Sequence, residues 1–345
     1  MRRLFVLLTL AAAVLACRGM TVAGDDTATP DSGITQDGPD GSGCAATTPR
    51  TEAPETFAGP QGLLPRLFDL IDSAQQTLDV QMYLFTVDEL AQRIIAAQQR
   101  GVAVRVILDV DHPGNDGTRS TLLAAGVPTR NSPTIYSFSH AKYLVIDRQV
   151  AVVMSMNFNY DAMDSERNYG MVDRDPEDVT DVAAIFDMDW AAGGGEAPVP
   201  ADLGCTRLVV SPNNSKQRVL ELINGAKSKL DVEALYVSED SVRNAIVDAK
   251  QRGVTVRVIL EGSMDSAGST GFFKAAGIPV HDAAGFFLHA KLIVADGVAF
   301  VGSENYSQTS LTKNREVGAL VFEPAPAQLI QTQFDSDFAS TPIAP

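Results

Sequence analysis

The sequence predicts an α/β protein of two fused, pseudo-twofold-related α/β/α sandwich repeats with mostly parallel, mixed sheets. Three observations carry this expectation. The chain has 345 residues, beyond the size at which one hydrophobic core usually keeps growing. The stretch Gln99-Arg100-Gly101-Val102-Ala103-Val104-Arg105-Val106-Ile107-Leu108 recurs from Gln251 to Leu260 with a single change, Ala103 to Thr255. Along both copies, apolar residues fall at helical and strand spacing in the same order.

Residues 1–16 have the form of an export signal, with Arg2 and Arg3 ahead of the apolar run Leu4 to Ala16. Cys17 follows Val14-Leu15-Ala16, a pattern similar to a bacterial lipobox, whose cysteine is lipidated and becomes the new N-terminus. Ordinary cleavage after Thr21-Val22-Ala23 is the alternative; a cysteine closing an apolar stretch favours lipidation. Either route exports the chain, lipid-anchored to the bacterial cell envelope or secreted, into an oxidising compartment. There Cys44 and Cys205 either pair as a disulfide or remain as two buried thiols. Residues 17–58 are dominated by Thr, Asp, Gly, Ser and Pro. So few aliphatic side chains cannot offset the ordering entropy, and the segment reads as a flexible tether.

The repeats then run over 59–197 and 198–345. Each opens with a helix, carried by Leu63, Leu64, Leu67, Leu70 and Ile71 or by Val219, Leu220, Leu222, Ile223 and Ala226. A strand follows (Leu78 to Phe85; Leu230 to Val237), then a helix ended by Gly101 or Gly253. The runs Val102 to Leu108 and Val254 to Leu260 have few polar breaks, as strands buried on both faces do. Tyr143 to Ile146 pairs with Val150 to Met154, and Leu292 to Ala295 with Val298 to Val301. Closing helices carry Ile185, Phe186 and Trp190, or Leu329, Ile330 and Phe334. Gly193-Gly194-Gly195, with Pro198 and Pro200, marks the linker. The offset shrinks from 152 (Gln99 to Gln251) to 151 (Ala125 to Ala276) and 149 (His140 to His289), so only short loop deletions separate the copies. That period is far too long for a solenoid.

Forty-three acidic against 27 basic side chains leave a formal charge of −16. This argues against holding long nucleic acid by phosphate neutralisation, which needs a basic surface. No apolar run after the N-terminus approaches the roughly 20 residues of a membrane-spanning helix.

The chemistry concentrates at two equivalent places. His140-Ala141-Lys142 precedes Asp147, Ser155 and Asn157; His289-Ala290-Lys291 precedes Asp296, Ser303 and Asn305. In an extended strand, residues two apart share a face, so each His and Lys project together. An imidazole, an ammonium and neutral donors converging on one spot suit a phosphate. His112 and His281 do not occupy equivalent positions and read as surface or loop residues. No cluster of His, Cys and carboxylates has zinc spacing.

The pattern resembles the double H-x-K-x4-D motif of the phospholipase D superfamily over nearly everything from Gly59 onward. The resemblance implies a metal-free, cofactor-free, two-step phosphodiester transfer. One histidine attacks phosphorus to form a phosphohistidine; the other protonates the leaving oxygen and then takes a proton from water or an alcohol. Lys142, Lys291, Ser155, Asn157, Ser303 and Asn305 would stabilise the phosphate charge, while Asp147 and Asp296 would fix strand and loop geometry. Two departures stand in the first copy. Met154 replaces Gly302, placing a side chain beside the phosphate pocket. Glu166-Arg167-Asn168 replaces Asn314-Arg315-Glu316, so Asn168 stands where the acid should be, and either Glu166 substitutes for it or the site has no acid. In related enzymes the pairing crosses between halves, which would set Glu316 against His140 and make His140 the nucleophile and His289 the acid.

The resemblance thus implies an exported phosphodiesterase that hydrolyses or transphosphatidylates phospholipid at a membrane surface, as a monomer. A nuclease of the same superfamily is the runner-up, and a catalytically silent phosphate-binding module, supported by Met154 alone, is the third reading. A phosphatidyl-transferring synthase is a further variant. Phe272, Phe273, Phe286 and Phe287 either line an apolar mouth for acyl chains or pack the core, with core packing favoured.

Overall fold

The computed structural model describes residues 48–265 and 268–344. Cys17 and Cys44 lie outside the described residues. Cys205 is disulfide-bonded. Repeat 1 contains β1 (Glu55–Gly59), α1 (Leu63–Asp72), β2 (Thr77–Met82), α2 (Asp88–Gln99), β3 (Ala103–Leu108), α3 (Asp116–Ala124), β4 (Thr129–Asn131), β5 (Tyr143–Ile146), β6 (Val150–Met154), α4 (Tyr160–Asp164), β7 (Glu166–Asp173) and α5 (Pro176–Gly193). Repeat 2 contains β8 (Leu208–Ser211), α6 (Ser215–Gly225), β9 (Lys229–Ala234), α7 (Asp240–Gln251), β10 (Thr255–Leu260), α8 (Ser269–Ala275), β11 (Val280–Asp282), β12 (Phe287–Leu288), β13 (Lys291–Ala295), β14 (Val298–Gly302), α9 (Gln308–Thr312), β15 (Glu316–Val321) and α10 (Pro324–Ser340).

Each repeat builds one mixed sheet, ordered β1-β7-β6-β5-β2-β3-β4 and β11-β10-β9-β13-β14-β15-β8. The expectation of mostly parallel pairing is corrected. Only β2-β3-β4 and β9-β10-β11 are parallel; the remaining neighbours along each path are antiparallel. Helical crossovers permit the first group, whereas the strands after each motif histidine return through tight hairpins, which demand antiparallel partners.

The layering also differs from two separate sandwiches. Helices α1–α4 cover only the outer face of the first sheet, and α6–α9 only that of the second. The inner faces share a third core, with Tyr143, Val145, Val153, Met171, Leu292, Val301 and Val317 packed among α5 and α10. The strands are therefore buried on both faces, which explains their unbroken apolar runs.

The tether ends earlier than expected. β1 lies within it and pairs antiparallel with β7, with Phe57 buried against Gly170. Just upstream, Arg50 binds Asp178 at 2.8 Å through its guanidinium and Glu323 at 2.7 Å through its backbone N–H. The β1–β7 ladder, buried Phe57 and Arg50 together hold a segment whose composition otherwise reads as disordered.

Buried ion pairs join the repeats, among them Arg207 with Asp178 at 3.1 Å, and two others flank the motif histidines. Arg167 on β7 grips Asp337 on α10 through Nε at 2.7 Å and a second nitrogen at 3.1 Å. Arg315, just before β15, grips Asp189 on α5 at 2.9 and 3.1 Å. Removing one partner strands the other charge in the core. Asp189→Asn should therefore cost about 3–5 kcal/mol in urea unfolding. Glu196→Gln, which breaks an exposed pair with Arg130, should cost less than about 1 kcal/mol. Equal losses in the two variants would show that the buried pair is not what locks the repeats together.

Candidate active site

Each histidine reaches its place by lying along the other repeat. Ser139 bridges Arg315 in parallel, and the His140 N–H donates to the Arg315 carbonyl at 2.8 Å. Symmetrically, β12 pairs in parallel with β7, and the His289 N–H donates to the Arg167 carbonyl at 3.0 Å. The residues flanking each arginine then face the opposite repeat's imidazole.

His140 Nδ1 lies 2.8 Å from Glu316 Oε2. The second oxygen of Glu316 accepts from Ser310 Oγ at 2.6 Å and Asn314 Nδ2 at 2.9 Å. Its carboxyl stays below the usual range: burial opposes this, and His140, Lys142 and Asn314 outweigh it. His289 Nδ1 instead meets Asn168 Oδ1 at 3.0 Å, and Glu166 Oε2 stands 3.8 Å away. The crossed pairing holds for both histidines, and only one of them touches a carboxylate.

Burial lowers the His140 imidazole to about 4; Glu316 pulls the other way and Lys142 adds to the lowering. Burial, then Lys291, Lys142 and His140, push His289 well down. Lys142 and Lys291 are buried, and each ammonium donates to the backbone carbonyl of its own motif histidine. Burial brings Lys142 down to about 7 against the pull of Glu316 and Glu304, and pushes Lys291 well down, with Lys142 adding to it. Two ammonium groups this close and this dry make a strong anion site once a phosphate supplies the missing charge.

The two serines are already engaged. Ser155 Oγ donates to Asn168 Oδ1 at 2.8 Å and accepts the Tyr169 N–H at 3.0 Å; Ser303 Oγ accepts the Val317 N–H at 3.1 Å. They brace the strands that carry the histidines' partners. Asn157 and Asn305 each keep a buried Oδ1 without a partner. Asp147 and Asp296 sit beyond the far ends of β5 and β13, about 17 Å of extended chain from the lysines. Asp147 accepts the N–H groups of Gln75, Gln76 and Thr77 at 2.6–3.1 Å, and Asp296 those of Lys227, Ser228 and Lys229 at 2.6–3.0 Å. Both have positive φ, at 53° and 48°, so they shape the hairpin turns.

Met154 does not reach the pocket. Its side chain is buried in the outer core of repeat 1, and at the equivalent place a methyl on Gly302 would meet Glu304 Oε2 at 2.5 Å. Burial, then Glu316, pushes the Glu304 carboxyl well up. Glu304 was not singled out from the sequence, although it stands where repeat 1 has Met156. Phe273 belongs to the core, Phe286 packs partly buried beside the shared core, and Phe272 and Phe287 are exposed. His281 stacks on Phe338 at 3.7 Å. His112 lies closer to the chemistry than its loop position suggests, 4.8 Å from the Tyr83 ring, which itself packs 4.5 Å from His140.

A cleft of about 550 Å³ opens beside His140. Tyr83, Phe138, Tyr236 and Met264 form its apolar wall, and Ser238, Asn305, Ser307 and Asn314 supply polar groups. Among the described residues, no group of three or more His, Cys, Asp or Glu could hold a metal ion, and no helix is long and apolar enough to cross a membrane.

Comparison with known proteins bears on the family and the fold. The family model described as "Cardiolipin synthase, PLD-like domain" matches residues 67–190 and 219–338, one match per repeat. A cardiolipin synthase of Clostridium perfringens is 24% identical over 325 residues, covering 80% of this chain and 68% of the relative. This chain thus spans about two thirds of that relative's length. Among solved structures, phosphatidylserine synthase of Haemophilus influenzae superposes with a TM-score of 0.67 at 13% identity, covering 86% of this chain and 88% of that one. Polyphosphate kinase of Porphyromonas gingivalis gives 0.65 at 17% identity, covering 82% and 46%. At such identities the two structures show the fold alone.

The titrations predict a pH profile. A p-nitrophenyl phosphodiester needs little leaving-group protonation, so its cleavage requires a neutral His140 and a charged Lys142. Its kcat/KM should fall below about pH 4, as His140 gains a proton, and above about pH 7, as Lys142 loses one. Lys142→Arg should remove the alkaline limb, because guanidinium stays charged. An unchanged limb in that variant would take Lys142 out of the phosphate site.

Proposed function

Because the chain belongs to the phospholipase D superfamily, we propose that it cleaves a phospholipid phosphodiester through a phosphohistidine and hands the phosphatidyl group to water or an alcohol. The observation that carries the reading is the unequal partnering of the two histidines across the repeats. Neutral His140, with its proton on Nδ1, attacks phosphorus through Nε2. The ring becomes cationic as the N–P bond forms, and Glu316 on Nδ1 stabilises that charge. Burial and the two lysines hold His289 toward the neutral ring; the charge of a bound phosphodiester offsets the lysines and lets it enter as the imidazolium, which gives its Nε2 proton to the departing oxygen. A neutral amide on its Nδ1 holds the ring without stabilising the cation as a carboxylate would, so the proton leaves readily. In the second step His289 takes the acceptor's proton, the acceptor oxygen attacks phosphorus, the N–P bond breaks, and His140 returns to neutral.

The name borne by the relatives and the acidic balance of the chain both favour a lipid over a polyanion. Residues 1–17 support export and anchoring through Cys17. Cys17→Ser should move the protein from the membrane fraction to the soluble one; a wild type already soluble after export would remove the anchor.

Trapping by a denaturing quench at mildly alkaline pH, where the N–P bond survives, tests the chemistry, with EDTA present and phosphatidylglycerol, phosphatidylcholine and single-stranded DNA compared side by side. His140→Ala should form no covalent adduct. His289→Ala should accumulate one on His140 when p-nitrophenol leaves, since no base remains for the second step. Label on His289 would reverse the roles, turnover of DNA alone would replace the lipid, and turnover without label on either ring would remove the covalent mechanism.

A further inference from the structure

Each repeat brings one asparagine and one glutamate to the other repeat's histidine, in exchanged order: Asn314-Arg315-Glu316 against Glu166-Arg167-Asn168. At His140 the carboxylate touches the ring and the amide steadies the carboxylate, Asn314 Nδ2 donating to Glu316 Oε1 at 2.9 Å. At His289 the amide touches the ring and the carboxylate steadies the amide, Asn168 Nδ2 donating to Glu166 Oε2 at 3.1 Å. The 3.8 Å from Glu166 to the ring is too long for a hydrogen bond.

An amide can turn either its oxygen or its nitrogen toward a ring N–H. Ser155 cannot decide between them alone, because a hydroxyl both donates and accepts. Glu166 can, since a carboxylate only accepts, and the reversed amide would set an oxygen against it. We infer that Glu166 is a positioning residue for His289: by holding Asn168 Nδ2 it keeps Asn168 Oδ1 on His289 Nδ1–H. The mobile proton is thereby confined to Nε2, the atom facing the substrate. The inference rests on the acid–base role proposed for His289. The charged or titratable groups around that ring are Lys291 on its own segment, Lys142 and His140 from repeat 1, and Glu166 from β7.

Glu166→Gln replaces an acceptor with a group that accepts or donates, so the Asn168 amide loses its bias. Turnover of a phosphodiester with a poor alkyl leaving group should fall roughly 10- to 100-fold in kcat, with KM unchanged. The burst of p-nitrophenol, and the label on His140, should stay at wild-type size. The double exchange Glu166→Asn with Asn168→Glu rebuilds the order seen at His140. It should restore alkyl turnover while moving the pH limb set by His289 upward by about one unit or more. Should Glu166→Gln fail to fold, Asn168→Asp serves in its place, and the same limb should move up. Equal losses of burst and alkyl turnover with the limb unmoved would reduce Glu166 to a structural residue, and wild-type alkyl turnover in Glu166→Gln would remove its role entirely. A wild-type enzyme that never forms phosphohistidine would fail earlier, at the reading of the site itself.

Discussion

The site depends on two arginines that cannot leave their partners. Arg167 and Arg315 are buried, each held in a two-point grip by an aspartate from the other repeat's closing helix. An unpaired guanidinium there would cost several kcal/mol, so the two halves cannot slide without breaking a pair. Each arginine also lies between the two residues that serve a histidine. Successive side chains of an extended segment point to opposite faces, so fixing the arginine toward the helix aims its neighbours at the imidazole. The clamp that assembles the repeats is thereby the device that sets the register of the chemistry.

From that register follows the burial of the charged groups. The motif segments lie along the other repeat's strands, and each buried ammonium donates to its own histidine's carbonyl, with the Tyr83 ring 5.0 Å from Lys142 Nζ. Burial makes both easier to deprotonate, and a bound phosphate restores them. A similar economy appears deeper in the core. Tyr143 donates to Gln81 at 2.6 Å within repeat 1, and Tyr169 of repeat 1 donates across to Glu233 of repeat 2, the counterpart of Gln81, at 2.7 Å. Burial, then Asp337, pushes the Glu233 carboxyl well up, toward the neutral form that, like the Gln81 amide, brings no charge into the core.

The duplication, the hairpins and both motif pairs were legible because they rest on local pattern. β5 and β6 fall on the residues that alternation marks, Tyr143–Ile146 and Val150–Met154. The crossed placement of Glu316 came from family resemblance, not from spacing, and the geometry agrees with it. What stayed hidden is long-range. β1 sits in a segment of tether-like composition and is ordered by a distant strand and by Arg50. The shared inner core requires knowing that two sheets face each other, which periodicity within one strand cannot say. Arg167 and Arg315 read as ordinary charges, because their aspartates lie 170 and 126 residues away. The bracing role of Ser155 was equally invisible, since it depends on an amide across a strand pair.

The inequality of the halves reaches below the site. Met154 and Met156 fill the outer core of repeat 1 with apolar volume. Repeat 2 has a glycine and a glutamate at those positions, and the Glu304 carboxyl occupies the space that Gly302 leaves. Two carboxyls near each other cannot both ionise in a dry interior. Burial and Glu316 push Glu304 up, while His140 and Lys142 help hold Glu316 down. The negative charge is therefore favoured on the carboxylate that touches His140, and its neighbour is the more readily protonated of the two. The copied half-sites thus differ at three kinds of place: the ring's partner, the group behind that partner, and the core beneath one of them.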